Sequence, residues 1–242
     1  MAGACILNII GARSAGASYI EVMLPEAIYP IVAANEITAV YHPDDLSGRT
    51  FPEAFRKAGA VAFGSGMTNH PLKTEYLEYV LRNAEVPVVV DAEGLRILAA
   101  NDAFYGLNGK MILTPHLGEF SLLSGLSIEE IKSNREKIAV RFAKEKGVTL
   151  VLKGPDTITV SPEGRVTVND SGNEALARAG SGDVLTGMIA GLCSLYENAY
   201  QAAADAVWLH GHLADEGIKI HSKEVFDLTV YPELADAFFK ER

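Results

Sequence analysis

The sequence predicts a three-layer α/β fold in which a mainly parallel sheet carries helices on both faces. The first reason is that short, apolar runs alternate with segments of helical periodicity along most of the chain. The second is that most of these runs are apolar at successive positions, as in strands that are covered on both faces. The third is that glycine, aspartate, Thr-Pro and Lys-Gly follow the ends of successive runs, where ligands bind in such sheets.

Each element in the first part of the chain is predicted from a local pattern. Apolar, β-rich runs predict strands at 19–24, 60–63, 86–90, 111–113 and 148–152. Helical patterns lie between them, notably at 73–82 and 128–146. The mostly apolar stretch 2–10 is preceded by no Lys or Arg, unlike a signal peptide, and is predicted as a buried helix.

The next segment predicts a β-hairpin. Two β-rich runs, 157–160 and 165–168, flank the turn Ser161-Pro162-Glu163-Gly164. We therefore expect two antiparallel strands here, in contrast to the parallel strands before them.

Two helices are predicted after the hairpin, over 183–196 and 199–216. Gly187 and Gly191 lie four residues apart on one face of the first, which permits another backbone to approach closely. Because the chain shows no internal repeat and no linker, we expect residues 1–242 to form a single domain.

Composition excludes several classes of function. With 21 Lys and Arg against 31 Asp and Glu, the formal charge is −10, which disfavours nucleic acid and anionic membranes as partners. A phosphate ligand must then be held by local features such as helix N-termini or a single lysine. Cys5 and Cys193 form no CxxC pair or Cys/His cluster, so no protein metal site or disulfide framework is predicted, and the pattern suits the cytoplasm.

The most informative stretch is Ala179-Gly180-Ser181-Gly182-Asp183-Val184. Its glycines permit a tight turn whose amides face an anion, and the positive end of a helix beginning at Asp183 adds to this. The Asp183 carboxylate is then placed to accept a proton from a substrate hydroxyl during phosphoryl transfer. The alternative is that Asp183 is only an N-cap and that the glycines form only a turn.

Longer motifs give this stretch a context, and together they resemble the ADP/ATP-dependent NAD(P)H-hydrate dehydratase family of the ribokinase-like superfamily. The stretches that carry the resemblance are VVDA at 89–92, TPHLGEF at 114–120, VLKGPDT at 151–157, GNEALARAGSGDVLTG at 172–187 and LHG at 209–211. Related small-molecule kinases share the Gly-Asp end of the long motif, whereas the TPH and GN stretches together are more specific to the dehydratases.

The resemblance implies a ribokinase-like fold and roles for individual residues. Nucleotide contacts are implied for Lys153, Gly154, Pro155, Asp156, Thr157, Gly180, Ser181 and Gly182. Contacts with the hydrated nicotinamide are implied for Ala4, Gly66, His116 and Asp183, and Asp183 is the implied catalytic base. The implied co-substrate is ADP or ATP with Mg²⁺, and the implied substrates are hydrated NADH and NADPH.

Simpler interpretations stand beside these roles. His116 is alternatively a loop histidine bonded to nearby backbone, Lys153 a solvated lysine at a strand end, and Asp91 a cap for the following helix. For the whole chain, the alternatives are a small-molecule kinase of the hydroxyethylthiazole or pyridoxal type, and a nucleotide-binding homologue without turnover.

The resemblance has two departures and further implications. The family normally has another strand and a glycine-containing loop ahead of the segment matching Gly3-Ala4, so this first strand is expected upstream or absent. Leu117 stands where the family often has proline. A homotetramer and cooperation with an NAD(P)H-hydrate epimerase are also implied.

Overall fold

The computed structural model describes residues 1–45 and 57–241. Their helices are α1 (Ala2–Ser14), α2 (Tyr29–Asn35), α3 (Lys73–Asn83), α4 (Glu93–Ala100), α5 (Leu117–Ser124), α6 (Ile128–Ser133), α7 (Arg135–Lys146), α8 (Ser181–Cys193), α9 (Ala199–Ile220) and α10 (Tyr231–Lys240). Their strands are β1 (Glu21–Pro25), β2 (Val40–Asp44), β3 (Val61–Phe63), β4 (Val88–Val90), β5 (Met111–Leu113), β6 (Thr149–Leu152), β7 (Ile158–Val160) and β8 (Val166–Val168).

The main sheet has six strands in the order β3-β4-β5-β6-β7-β8. The first four are parallel, with Val61 opposite Val88 and Val88 opposite Met111, and the last two pairs are antiparallel. This confirms the predicted mainly parallel sheet and the hairpin after it. The parallel strands end at one edge of the sheet, which is where the predicted site residues follow.

Each face of the sheet has its own apolar core, as β4 illustrates. Val88 and Val90 point into a core formed with helices α3 to α7, whereas Val89 points into a core formed with α1, α8, α9 and α10. Because successive side chains of a strand face opposite sides, a run that is buried on both sides must be apolar at every position. The three-layer prediction is thereby confirmed.

Helix α1 packs directly on α8 through glycines. A Cβ added to Gly187 would lie 2.1 Å from the Asn8 carbonyl oxygen, and one added to Gly11 would lie 2.1 Å from that of Val184. The backbones therefore meet without intervening side chains at these points. The predicted close approach at Gly187 is confirmed, and the helix predicted over 2–10 is observed.

One predicted strand lies in a different sheet. The run at 19–24 forms β1, which pairs in parallel with β2 rather than with the main sheet. β2 was not predicted, because its five residues include His42, Pro43 and Asp44 and so do not read as an apolar run. The small sheet packs over α1, where Leu24 and Ile9 are buried together.

Two helix boundaries also differ from the prediction. The helix predicted over 128–146 is two helices, because the backbone of Asn134 is not helical, with φ −145° and ψ 43°. Just before this break, the Ser133 hydroxyl donates a hydrogen bond to the Glu130 carbonyl. The helix predicted to begin at Asp183 begins at Ser181, because Gly180 at φ 90° ends the preceding turn. Among the described residues, we find no helix that combines the length and apolarity needed to span a membrane.

Candidate active site

Three strand ends meet at the Asp91 carboxylate. Asp91 follows β4, Thr114 follows β5 and Lys153 follows β6. The Thr114 hydroxyl donates to Asp91 Oδ1 at 2.8 Å, and the Lys153 ammonium donates to the same oxygen at 2.9 Å. The Asp91 side chain is only 4% exposed and that of Lys153 19%, so this ion pair lies largely out of water. The interpretation of Lys153 as a solvated lysine is therefore wrong.

The backbone around Asp91 is tightly constrained. Gly64, at φ 114°, has no room for a side chain, because a Cβ there would lie 2.0 Å from the Asp91 carbonyl oxygen. Ala92 has φ 47°, and it is the only residue other than glycine with a positive φ in the described part of the chain. The N-cap residue of α4 is Ala92, and the Asp91 carboxylate accepts from Thr114 and Lys153 instead, so the capping interpretation of Asp91 is wrong as well.

The glycine turn brings the N-terminus of α8 to the same place. Gly180 is the N-cap residue, and the first intrahelical hydrogen bond runs from Val184 N–H to the Gly180 carbonyl. The amides of Gly182 and Asp183 precede that bond and lie at the positive end of the helix. A Cβ on Gly182 would lie 3.2 Å from Lys153 Nζ, so the lysine ammonium and these amides face one small region.

Asp183 lies in the first turn of α8, as its third residue. It is not the N-cap, so its conservative interpretation as a capping residue is wrong. Burial raises the pKa of the Asp183 carboxyl, and the nearby Asp91 carboxylate raises it further, whereas the Ser65 hydroxyl, the Lys153 ammonium and the amino group of Met1 lower it. A carboxylate with a raised pKa is a stronger base than an ordinary aspartate, as proton abstraction from a hydroxyl requires.

Arg135 stabilises the turn that follows Lys153. Its guanidinium donates to the carbonyls of Leu152 and Asp156, both at 2.8 Å. The Thr157 hydroxyl closes the turn by donating to the Gly154 carbonyl at 2.9 Å. Arg135 lies far away in sequence, at the start of α7, and nothing in the local sequence marks it as part of the site.

His116 caps the helix that follows it. Its Nδ1 accepts hydrogen bonds from the amides of Gly118 and Glu119 at 3.0 and 3.2 Å, and the Glu119 carboxylate in turn accepts from the His116 amide at 2.9 Å. This agrees with the alternative interpretation of His116 as a histidine bonded to nearby backbone. Because Nδ1 is an acceptor, the neutral imidazole carries its proton on Nε2, and the side chain remains 61% exposed.

The predicted substrate residues Gly66 and Ala4 lie together. A Cβ on Gly66, at φ 72°, would come within 3.1 Å of the Ala4 methyl group, and the Met1 amino group donates to the Gly66 carbonyl at 2.7 Å. Ala4 is 5% exposed, so it supports the Gly66 loop more than it offers contact surface.

The GN segment of the long motif is anchored to α9. The Asp215 carboxylate accepts from the Gly172 amide and from the Asn173 side-chain amide, each at 2.8 Å. Gly211 permits this approach, because a Cβ there would lie 2.8 Å from the Gly172 nitrogen. Asp215 was not predicted, since a single aspartate on a helix is indistinguishable in sequence from a solvated one.

The mainly parallel sheet with helices on both faces is an α/β fold of the ribokinase-like class, and two carboxylates, one lysine and a helix N-terminus meet at its carboxyl edge. The ribokinase of Thermotoga maritima has this fold, with a TM-score of 0.54 and 14% identity over 97% of this chain and 86% of that one. The sequence profile of the NAD(P)H-hydrate dehydratase family matches residues 1–230, and the chain belongs to that family.

Two relatives show the extent of the similarity. A bifunctional NAD(P)H-hydrate repair enzyme of Moorella thermoacetica is 34% identical over 229 residues, which is 90% of this chain and 43% of the relative. The ADP-dependent (S)-NAD(P)H-hydrate dehydratase of Bacillus subtilis is 32% identical over 222 residues, covering 92% of this chain and 79% of the relative. A crystal structure of the Bacillus enzyme, co-crystallised with ATP and Mg²⁺, has a TM-score of 0.83 and covers 100% of this chain and 85% of that one at 28% identity.

Proposed function

We propose that this chain uses ADP or ATP to dehydrate the S form of NADH and NADPH hydrate, which restores the reduced cofactor. The observation that carries the proposal is the position of Asp183, whose carboxylate lies at the N-terminus of α8 with its pKa raised by burial and by Asp91. Membership of the dehydratase family selects this reaction from those that such a site can perform.

The first step is phosphoryl transfer to the hydrate. Asp183 accepts the proton of the C6 hydroxyl as that oxygen attacks the terminal phosphorus of the nucleotide, and the bond from phosphorus to the leaving nucleotide breaks. The amides at the start of α8 and the Lys153 ammonium stabilise the charge on the transferring group. Phosphate then replaces hydroxide as the leaving group.

The second step is elimination. The lone pair of the ring nitrogen expels phosphate from C6, and loss of a proton from C5 restores the dihydropyridine. The products are the reduced cofactor, inorganic phosphate, and AMP from ADP or ADP from ATP. One site therefore serves both steps, which explains how a kinase-like turn can occur in an enzyme that releases no phosphorylated product.

Mg²⁺ enters this proposal as the counter-ion of the nucleotide. Asp91 and Asp183 are the carboxylates nearest the turn, and Asp91 Oδ1 already accepts hydrogen bonds from Thr114 and Lys153. The described residues contain no group of three or more His, Cys, Asp or Glu suited to a metal ion. The ion would accordingly be held mainly by phosphate oxygens and water, as is common for Mg²⁺.

The residue roles follow the same proposal. Nucleotide contacts are assigned to Lys153–Thr157 and Gly180–Gly182, and substrate contacts to Ala4, Gly66, His116 and Asp183. We further propose a single domain, a cytoplasmic homotetramer and cooperation with an NAD(P)H-hydrate epimerase, the last because the Moorella relative is a bifunctional repair enzyme.

The test is turnover of hydrated NADH by the purified chain with ADP and, separately, with ATP. We expect NADH absorbance to return with one phosphate released per NADH formed. A stable phosphorylated product would instead identify a small-molecule kinase, and nucleotide binding without turnover would identify a silent homologue. Mass spectrometry of the products, together with calorimetry of nucleotide binding, separates these outcomes.

A further inference from the structure

Asp91 is the buried carboxylate that the proposed reaction leaves without a task. It is 3% exposed, and one of its oxygens accepts from both Thr114 and Lys153. Its backbone is fixed by a glycine, Gly64, that has no room for a side chain, and by Ala92, whose positive φ is unfavourable for a residue with a Cβ. Such constraint is typical of functional positions rather than of ordinary strand ends.

The consequence of this constraint appears at Lys153. A lysine side chain is flexible, and without a partner it would sample many rotamers in water, so that its ammonium group would have no fixed position. The bond to Asp91 instead holds Nζ beside Gly182, at the first turn of α8. The lysine is thereby fixed in the region where the transferring phosphoryl group is expected, without having to be ordered by the nucleotide.

We propose that Asp91 is a positioning residue for phosphoryl transfer, which acts by holding the Lys153 ammonium beside Gly182 and Asp183, with Thr114 fixing the Asp91 carboxylate. This rests on the proposed function. A second effect follows from charge, because the Asp91 carboxylate opposes ionisation of Asp183 and so strengthens it as a base. The other groups that influence the Asp183 carboxyl, Lys153, Ser65 and the Met1 amino group, all act in the opposite direction.

Asp91→Asn tests the proposal, because the amide keeps the shape of the side chain and removes its charge. We expect kcat to fall about 100-fold, as for a misplaced catalytic group. Nucleotide affinity should be unchanged or higher, since Lys153 loses its partner carboxylate. The acidic limb of the pH profile of kcat/KM should move to lower pH, because Asp183 loses a neighbouring negative charge while Lys153 remains positive.

Thr114 provides a milder second variant that keeps the carboxylate. Thr114→Val should lower kcat about fivefold, equivalent to the loss of one hydrogen bond, without moving the pH profile. Thr114→Ser keeps the hydroxyl and should restore the parent rate. If Asp91→Asn does not fold, the contrast between valine and serine at position 114 decides the matter, and equal rates for these two variants would overturn the proposal.

A readout independent of turnover separates this inference from the proposed function. NMR titration of the Asp183 carboxyl carbon, assigned with Asp183→Asn, should give a lower pKa in Asp91→Asn even if hydrated NADH is not the substrate. Glu36→Gln is a matched control, since Glu36 is also a buried acid with a cationic partner, Arg13, at 2.8 Å. Glu36 lies in neither the candidate active site nor the glycine turn before α8. An Asp183 titration that is the same in the parent, Asp91→Asn and Glu36→Gln would overturn the proposal.

Discussion

At the scale of single residues, Asp183 provides a test in which activity and stability change in opposite directions. Its folded pKa lies above the unfolded value of 3.8, so the folded protein holds more protons between those two values, and stability falls as pH rises through that window. At neutral pH the charge therefore costs stability. We expect Asp183→Asn to be at least as stable as the parent at pH 7 while turnover falls about 10²- to 10⁴-fold.

Glu130 is a matched control for Asp183, because it is also the third residue of a helix. There the Ser127 hydroxyl and amide lower the pKa of the carboxyl, so the charge favours folding. Glu130→Gln should lower the melting temperature and leave turnover unchanged. If instead both variants lose stability and Asp183→Asn keeps more than half the parent rate, Asp183 is not the base.

His210 predicts a specific sensitivity to acid. Burial lowers the pKa of this imidazole to about 4, below its ordinary 6.5. Between these two values His210 is protonated in the unfolded chain but not in the folded chain. The free energy of unfolding therefore falls by about 3 kcal/mol as the pH falls from 6.5 towards 4. Denaturant unfolding at pH 7 and pH 4.5 should show a smaller difference for His210→Gln than for the parent. Equal differences would contradict the prediction.

Among single residues, the sequence predicts those site residues that stand within a recognisable local motif. Lys153, Gly182 and Asp183 follow strands or form the glycine turn, and the structure brings them together. Arg135 and Asp215 were not predicted, because each forms hydrogen bonds with backbone groups that are distant in sequence and become neighbours only in the folded protein. The roles of these residues in catalysis remain predictions.

At the scale of elements, the contact between α1 and α8 is the feature most sensitive to substitution. A methyl group at Gly187 would overlap the Asn8 carbonyl, so the two helices must separate. We expect Gly187→Ala to lower the free energy of unfolding by about 3 kcal/mol and to weaken nucleotide binding, because α8 carries the anion-binding turn.

Gly3 offers the matched control within α1, since a Cβ there meets nothing within 4 Å. Gly3→Ala should raise the free energy of unfolding by about 0.5 kcal/mol, because alanine loses less backbone entropy in a helix. Calorimetric unfolding of both variants checks the pair. A Gly187→Ala protein as stable as the parent would contradict the packing described above.

Elements were predicted well where burial imposes a pattern and poorly where it does not. Strands β3, β4 and β5 are apolar at every position, and all six strands of the main sheet were predicted to within about two residues. β2 escaped because it is a partly exposed strand that ends in His42-Pro43-Asp44. The break at Asn134 also escaped, because polar side chains that bind local backbone end a helix without changing the apolar spacing around it.

At the scale of the whole molecule, the two cores share one sheet and should unfold together. Val89 and Val90 are neighbours on β4 that are fully buried in different cores. We expect Val89→Ala and Val90→Ala each to lower stability by about 2 kcal/mol. Each variant should still unfold in a single transition by both circular dichroism and fluorescence of Trp208. Separate transitions for the two probes would show that the layers are independent.

The direct contact between the backbones of α1 and α8 also has a consequence for motion. Where side chains separate two helices, rotamer changes allow the helices to slide on fast timescales. Here the glycine Cα atoms of one helix lie against the carbonyl groups of the other. Because no side chain lies between them at these points, no rotamer change can make room for the helices to move. Amide hydrogens in the centre of α8 should therefore exchange with solvent only when the whole protein opens, and the turn at its start should be rigid before any nucleotide arrives.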